Sequence, residues 1–130
     1  MNRVVHFEMP AKDSALVSTF YSGVFGWQMQ NMGEHMGNYI LATATPSDEA
    51  GQPTSPGGIN GGFFPVEEGS TETPSFVIEV DDINAHMQKV KDAGGQVEGE
   101  PSMIPGIGLF VVIIDTEGNR ASMLQPVAMS

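Results

Sequence analysis

The stretch VVHFEMPAKDSALVSTFYSGVFG, residues 4–26, contains the pattern from which the fold is predicted. Its first part is typical of a β-strand, in which successive side chains point to opposite faces. Phe7 and Met9 then share an apolar face, whereas His6 and Glu8 share the opposite face. The strand therefore has one face suited to a core and one that carries an imidazole and a carboxylate.

A helix is predicted directly after this strand, in SALVSTFYSGVF. Asp13 or Ser14 is a suitable N-cap, and Gly26 is a suitable residue to end the helix. One apolar helix face is indicated by the spacing i, i+1, i+4 and i+8 of Leu16, Val17, Phe20 and Val24. Short strands are then predicted in WQMQNM, NYILATA and INGGFF.

The second half of the chain repeats this order. SFVIEV predicts a strand with Phe76, Ile78 and Val80 on its apolar face, and DINAHMQKVKDA predicts a helix capped by Asp81 or Asp82. The helix presents Ile83, Met87 and Val90 on one face and is followed by Gly94 and Gly95. Strands are predicted in GQVEGE, GLFVVIID and RASMLQP.

An offset of 69 residues aligns the halves, placing Phe7 on Phe76 and Asp13 on Asp82. Such internal repetition is stronger evidence than any single local pattern. We therefore predict an α+β fold of two tandem βαβββ modules within one domain, residues 1–130. Module one spans about residues 1–66 and module two about residues 74–130, with a polar linker between them.

The two faces of the first strand have different expected roles. The apolar faces of strand one and of its counterpart in module two should pack under the helices. The face with His6 and Glu8 should then look into a cleft that the two modules enclose. Strand-walled clefts are natural sites for small molecules.

Composition restricts the partners of the chain. Its 130 residues include 16 Asp and Glu but 5 Lys and Arg, for a net charge of -11. Such a charge repels nucleic acid and anionic lipid. No run approaches the roughly 18 apolar residues of a membrane span, and we expect no signal peptide. The absence of cysteine rules out disulfides and thiolate metal sites and fits a cytoplasmic location.

The pattern resembles the vicinal oxygen chelate superfamily, also called the glyoxalase/bleomycin resistance protein/dioxygenase superfamily. The resemblance is carried by HFEMPAKDSALVSTFYSGVFGW in the first half and by FVIEVDDINAHMQKVKDAGGQV and FVVIIDTEGNRASMLQP in the second. It implies two βαβββ modules that form a partly closed, barrel-like sheet around a cleft. It also implies four positions for metal ligands, on the first and the last strand of each module, in metal-dependent lyases and dioxygenases.

Those four positions correspond to His6, a residue near Gly61, Ser75 and Ser122 in this chain. Glycine has no ligating side chain, and a neutral serine hydroxyl is a poor ligand for zinc or iron. Glu8 adds a carboxylate beside His6, but two ligands do not complete a coordination shell. We therefore predict no metal cofactor, with a divalent ion held by His6 and Glu8 as the alternative.

The predicted function is the binding of a small molecule, with a lyase-like or detoxifying activity left open. The candidate ligand-binding residues are His6, Glu8, Tyr39, Asn60, Ser75, Glu79 and Ser122. One alternative is a metal-dependent lyase or dioxygenase, and another is an interaction protein with a vestigial cleft. A homodimer is expected, as is a mobile loop over residues 45–58, the longest stretch without a regular period.

Overall fold

A computed structural model describes residues 1–127 of the protein. The strands are β1 (Val4–Ala11), β2 (Gln28–Asn31), β3 (Ile40–Thr43), β4 (Asn60–Pro65), β5 (Ser75–Glu79), β6 (Gln96–Ile104), β7 (Gly108–Ile114) and β8 (Arg120–Pro126). The helices are α1 (Ser14–Phe25) and α2 (Ile83–Asp92). This order confirms the α+β class and the two βαβββ modules.

Both helices begin where the sequence predicts. The side chain of Asp13 accepts a hydrogen bond from Leu16 N at 2.9 Å, and that of Asp82 accepts one from Ala85 N at 3.1 Å. Each carboxylate satisfies an amide that the helix itself leaves without a partner. Gly26 ends α1 in the left-handed region, at φ 75°, which glycine adopts without steric cost.

The chain divides into two compact units, which follow the two modules except at the N-terminus. One unit is His6–Pro74, and the other combines Met1–Val5 with Ser75–Ser130. Residues 1–5 group with the second module because the chain there bonds to β5, where Glu79 N donates to Arg3 O at 3.0 Å.

In the unit His6–Pro74, the strands lie in the order β2-β3-β4-β1. β1 runs parallel to β4, and β2 and β3 are added antiparallel. The core between this sheet and α1 is formed by buried Ala11, Ile40, Ala42 and Phe63 and by half-buried Phe7, Met9, Val17, Tyr21, Trp27 and Met29. Phe7 and Met9 therefore pack on the helix side, as predicted.

Of the four residues that the sequence pattern placed on the packed face of helix α1, only Val17 contacts the core. Val17 and Tyr21 contact the core, and the Tyr21 ring stacks on Trp27 at 4.7 Å. The row one position earlier is exposed to solvent: Leu16 is 67%, Phe20 52% and Val24 59% exposed. Both rows are apolar, and the stack of Tyr21 on Trp27 orients the helix so that the Val17 row faces the sheet.

In the other unit, the strands lie in the order β5-β8-β7-β6, with β5 parallel to β8. The core contains Val80, Ile83, Met87, Val111, Ile113, Ala121 and Met123, with Val90 packed against it. The α2 face was thus predicted correctly. Phe76 is an exception among the residues expected under the helix, because it lies near the start of β5 and is 44% exposed.

The predicted loop over residues 45–58 contains an isolated bridge between Ser47 and Pro53 and otherwise no strand or helix. It is nevertheless hydrogen-bonded internally, since Asp48 Oδ1 accepts from the amides of Ala50 and Gln52, both at 2.9 Å. Its mobility stays a prediction. Among residues 1–127, neither helix is long and apolar enough to cross a membrane.

Candidate functional site

His6 and Glu8 lie on the face of β1 opposite the α1 core. Phe7 and Met9, which alternate with them, pack against that core. The His6 side chain is 26% exposed and the Glu8 side chain 15% exposed. The alternation of the strand therefore gives a half-buried imidazole and a half-buried carboxylate on the same face.

Tyr39, which directly precedes β3, joins these two side chains. Its hydroxyl donates a hydrogen bond to Glu8 Oε2 at 3.0 Å and lies 3.0 Å from His6 Nε2. When Glu8 is ionised, the one hydroxyl proton goes to the carboxylate, so the His6 imidazole then donates from Nε2 to the tyrosine oxygen. His6 Nε2 and Glu8 Oε1 are 3.9 Å apart, too far for a direct hydrogen bond.

Two adjacent glycines of β4 provide the space for this arrangement. Phe7 pairs with Gly61 and Glu8 with Gly62. A Cβ on Gly61 would overlap the Phe7 ring, and one on Gly62 would overlap Tyr39. The last-strand position on the His6 face is thus Gly62, adjacent to the predicted position near Gly61, and Gly61 itself lies on the helix side.

Burial changes the proton affinities of all three groups. Desolvation lowers the pKa of His6 to about 4. Desolvation also raises the pKa of Glu8 to about 7, against the opposing effect of the hydrogen bond from Tyr39. The pKa of Tyr39 is raised by burial first and then by the charge and hydrogen bond of Glu8. At neutral pH, His6 and Tyr39 are neutral, and Glu8 is near the midpoint of its titration.

The residues on this face do not fit a complete metal site. The donor set is one imidazole and one carboxylate, and β4 contributes Gly62 at the facing position. No group of three or more His, Cys, Asp or Glu side chains able to hold an ion occurs within residues 1–127. Zinc sites in proteins use three or four protein ligands, so this face is short of ligands for such an ion.

Asn60, another predicted ligand-binding residue, is bonded to the loop that precedes β4. It is 8% exposed. Its Oδ1 accepts from the amides of Ala44 and Thr45 at 2.8 and 3.2 Å, and its Nδ2 donates to Ser47 Oγ and Gly51 O at 2.8 and 3.3 Å. These bonds use both donors and both acceptor positions of the amide.

Replacing Asn60 should therefore loosen the 45–58 loop. We expect Asn60→Ala to lower the free energy of unfolding by about 1–2 kcal/mol, because buried amides lose their acceptor. Hydrogen exchange at Ala44 and Thr45 should become faster, whereas amides of α2 should exchange as in the parent chain. Unchanged exchange at Ala44 and Thr45 would show that Asn60 does not hold the loop.

The three remaining predicted site residues belong to the other unit. Ser75 is half-buried at the start of β5. Glu79 lies 3.9 Å from the guanidinium of Arg3. Ser122 is 4% exposed and pairs with Val77 in the β5–β8 ladder. The structure thus brings together His6, Glu8 and Tyr39 as one hydrogen-bonded group. The role of Gly62 was missed, because its position opposite Glu8 depends on a strand register that the sequence does not give.

Comparisons with known proteins agree with this geometry. The family model described as the Glyoxalase/Bleomycin resistance protein/Dioxygenase superfamily matches residues 3–123. A glyoxylase-like domain-containing protein from Didymella fabae is 34% identical over 117 residues, covering 86% of this chain and 84% of that protein. A putative glyoxylase from Mycobacterium bovis is 32% identical over 112 residues, covering 85% of this chain but 39% of its own length.

Solved structures show the same fold at low identity. A hypothetical protein from Bacillus halodurans has a TM-score of 0.69 and 16% identity, covering 99% of this chain and 97% of that chain. Methylmalonyl-CoA epimerase from Mycobacterium tuberculosis has a TM-score of 0.66 and 15% identity, covering 96% and 88%. The family match over residues 3–123 and the 34% identity to the Didymella fabae protein establish that the chain belongs to the glyoxalase/bleomycin resistance protein/dioxygenase superfamily.

Proposed function

We propose that the protein binds a small oxygen-containing molecule through the His6–Tyr39–Glu8 group. The observation that carries this proposal is a hydrogen-bonded set of three polar side chains, half-buried on the strand face away from the core. Burying polar groups costs free energy unless they have partners. Placing three of them on one face is better explained by a ligand than by stability.

Glu8 Oε1 is the atom with which a ligand would pair. Oε2 accepts the Tyr39 hydroxyl, whereas Oε1 has no hydrogen-bond partner among residues 1–127. A hydroxyl or amide of a ligand can donate to it. Because His6 and Tyr39 are neutral at pH 7, the group is suited to an uncharged polar part of a ligand rather than to a strongly anionic one.

A second candidate function is proton transfer to or from the bound molecule. It is favoured by the pKa of Glu8, which burial raises to about 7, the range in which a carboxyl can both accept and donate a proton at neutral pH. This would make the protein an enzyme of the lyase or isomerase kind. The substrate would need an acidic proton within reach of Oε1.

Metal-dependent chemistry and a purely structural role in protein–protein interaction both stay predictions. A metal-dependent lyase or dioxygenase would need ligands from the substrate or water to complete the shell around His6 and Glu8. A non-catalytic interaction protein would show no small-molecule binding. A cytoplasmic location and a metal-free state are likewise expected but untested.

His6→Ala should reduce ligand affinity while leaving the ligand-free protein nearly as stable as the parent. A ligand at 100 times its dissociation constant adds about 2.7 kcal/mol of stability, which a thermal-shift screen of small carbonyl and hydroxyl compounds detects. Loss of one hydrogen bond in the group should weaken binding by roughly 3–10-fold. His86→Ala is the matched control, because His86 is a half-buried histidine of α2 whose hydrogen bonds go to Asp82 and Asn2.

The same protein, purified without added metal or a histidine tag, should contain well under one equivalent of Zn, Fe, Mn or Ni. A chelator should leave its melting temperature unchanged. A stoichiometric ion that disappears in His6→Ala together with activity would instead support the metalloenzyme. Absence of any stabilising compound in a broad screen would support the interaction protein.

A further inference from the structure

The strand face that carries Glu8 continues across the other strands of its unit. Met29 of β2 and Ala42 of β3 pack in the core on the helix side. Because side chains alternate along a strand, their neighbours Gln30 and Leu41 lie on the same face as Glu8. Leu41 is half-buried and Gln30 is exposed. This face therefore carries further side chains that a ligand held at Glu8 can contact.

The pairing register places these side chains in one row across the sheet. Glu8 pairs with Gly62, which pairs with Leu41 on its other side. Leu41 pairs in turn with Gln30. Gly62 has no side chain, and the side chain of Tyr39 covers it. Neighbouring strands lie about 4.8 Å apart, so the row spans about 14 Å between the backbones of β1 and β2. We call it the cross-strand row.

The Glu8 end of the cross-strand row has acceptors but no donor left for a ligand. With Glu8 ionised, Tyr39 donates its hydroxyl proton to Glu8, and His6 donates from Nε2 to Tyr39. Glu8 Oε1 and His6 Nδ1 have no hydrogen-bond partner among residues 1–127 and are both acceptors in this state. A ligand therefore pairs with this end through its own O–H or N–H group.

The Gln30 end has groups of both kinds. The side-chain amide of Gln30 offers two N–H donors and a carbonyl acceptor, and it makes no hydrogen bond to another residue within 1–127. A carboxamide on a ligand can pair with it through two hydrogen bonds. Between the two ends, Leu41 is apolar, so a hydrocarbon segment that covers it is removed from water.

We propose that the cross-strand row binds a linear molecule with a hydroxyl or N–H donor at one end, a short hydrocarbon chain and a carboxamide at the other end. The donor pairs with Glu8 Oε1 and His6 Nδ1, and the chain lies over Tyr39 and Leu41. The carboxamide pairs with Gln30, which thereby determines specificity. This inference rests on the proposed binding function of the His6–Tyr39–Glu8 group and adds to it the class of ligand.

Hydroxy carboxamides with the hydroxyl at the far end of a chain of five to eight carbons test the row. Binding is followed by NMR titration of ¹⁵N-labelled protein at pH 8, where Glu8 is mainly ionised. We expect affinity to be highest at one chain length, because the two ends then reach Glu8 and Gln30 together. Replacing the hydroxyl by a methoxy group should weaken binding about 3–10-fold, since it removes the donor.

Gln30→Leu should weaken binding of the best hydroxy carboxamide about 3–10-fold and leave binding of 1-hexanol, which has no carboxamide, unchanged. Gln28→Leu is the matched control, because Gln28 is exposed on the same face of β2 but pairs with Thr43. It should leave both affinities unchanged.

Three results would overturn the cross-strand row. They are an unchanged affinity in Gln30→Leu, equal losses in Gln28→Leu and Gln30→Leu, and a methoxy compound that binds as tightly as its hydroxyl counterpart. Binding of 1-hexanol that is lost in His6→Ala would in each case leave the proposed function standing. Failure of every hydroxy carboxamide to bind would also overturn the row, and the thermal-shift screen then decides the proposed function separately.

Discussion

Glu8→Gln and His6→Gln should change the pH dependence of stability in opposite directions. The pKa of Glu8 is raised from 4.5 to about 7 in the folded protein. Between those values the folded chain keeps a proton that the unfolded chain has lost, so the stability due to Glu8 falls as pH rises. One pKa unit corresponds to about 1.4 kcal/mol, so the fall amounts to about 3 kcal/mol.

The stability due to His6 changes with pH in the opposite direction. Its pKa is lowered from 6.5 to about 4 in the folded protein. Between those values the unfolded chain holds the additional proton, so the stability due to His6 rises with pH, again by about 3 kcal/mol. The two slopes overlap from about pH 4.5 to 6.5 and nearly cancel there. The free energy of unfolding of the parent chain should therefore be nearly independent of pH in this range, although each of the two groups alone makes it strongly pH-dependent.

Substituting one of the two groups at a time separates their effects on the free energy of unfolding. The stability of Glu8→Gln relative to the parent should rise by about 3 kcal/mol between pH 4.5 and 7, and that of His6→Gln should fall by a similar amount between pH 4 and 6.5. Urea unfolding at constant ionic strength, from pH 4 to 8, measures both. The other acidic groups are the same in each chain and cancel in the difference. Flat difference curves would mean that neither group titrates with a shifted pKa, and would remove the basis for proton transfer by Glu8.

The sequence was sufficient for the fold because its information is local and repeated. The caps at Asp13 and Asp82 and the alternation around His6 each depend on residues close in the chain. The 69-residue repeat then supplies the order of the elements twice. None of these features depends on knowing how distant strands pair.

The site was only partly predictable because it depends on strand register. Tyr39 is 33 residues from His6 and 31 from Glu8, and it reaches them only because β3 and β1 both pair with β4. An error of one residue in register moves a side chain to the other face. The sequence therefore predicted only a position near Gly61, and the structure places Gly62 on the His6 face and Gly61 on the helix side.

The orientation of α1 was unpredictable for a related reason. Two adjacent rows of its surface are apolar, and hydrophobic spacing alone does not say which row packs. The choice is decided by Tyr21 and Trp27, whose rings stack at 4.7 Å. Phe63 completes this cluster, 5.2 Å from Tyr21. The other row, Leu16, Phe20 and Val24, is therefore exposed to solvent.

The two glycines of β4 should respond differently to the same substitution, because they lie under different side chains. In Gly61→Val the new atoms overlap Phe7 close to its backbone. Phe7 cannot move freely, since its ring packs against Trp27 and Phe63 at 5.4 and 6.4 Å. We expect the free energy of unfolding to fall by about 3 kcal/mol, the upper end for overpacking in a core.

In Gly62→Val the overlap is with the hydroxyl end of Tyr39, which can rotate away from the sheet. We expect a smaller loss of stability, about 1 kcal/mol, but a loss of the bonds that Tyr39 makes to Glu8 and His6. Urea unfolding compares the two variants, and tyrosinate absorbance reports on Tyr39 alone when Tyr21→Phe removes the second of the two tyrosines.

Displacement of Tyr39 should lower its pKa, and this change can be measured. Its pKa is raised in the folded protein by burial and by Glu8, so release to solvent should bring it down towards about 10 in Gly62→Val and leave it raised in Gly61→Val. Ligand affinity should fall in Gly62→Val and stay near that of the parent chain in Gly61→Val, since Gly61 lies on the helix side and Gly62 under the polar group. Equal stability losses with an unmoved Tyr39 titration would show that Gly62 is not what holds the tyrosine between His6 and Glu8.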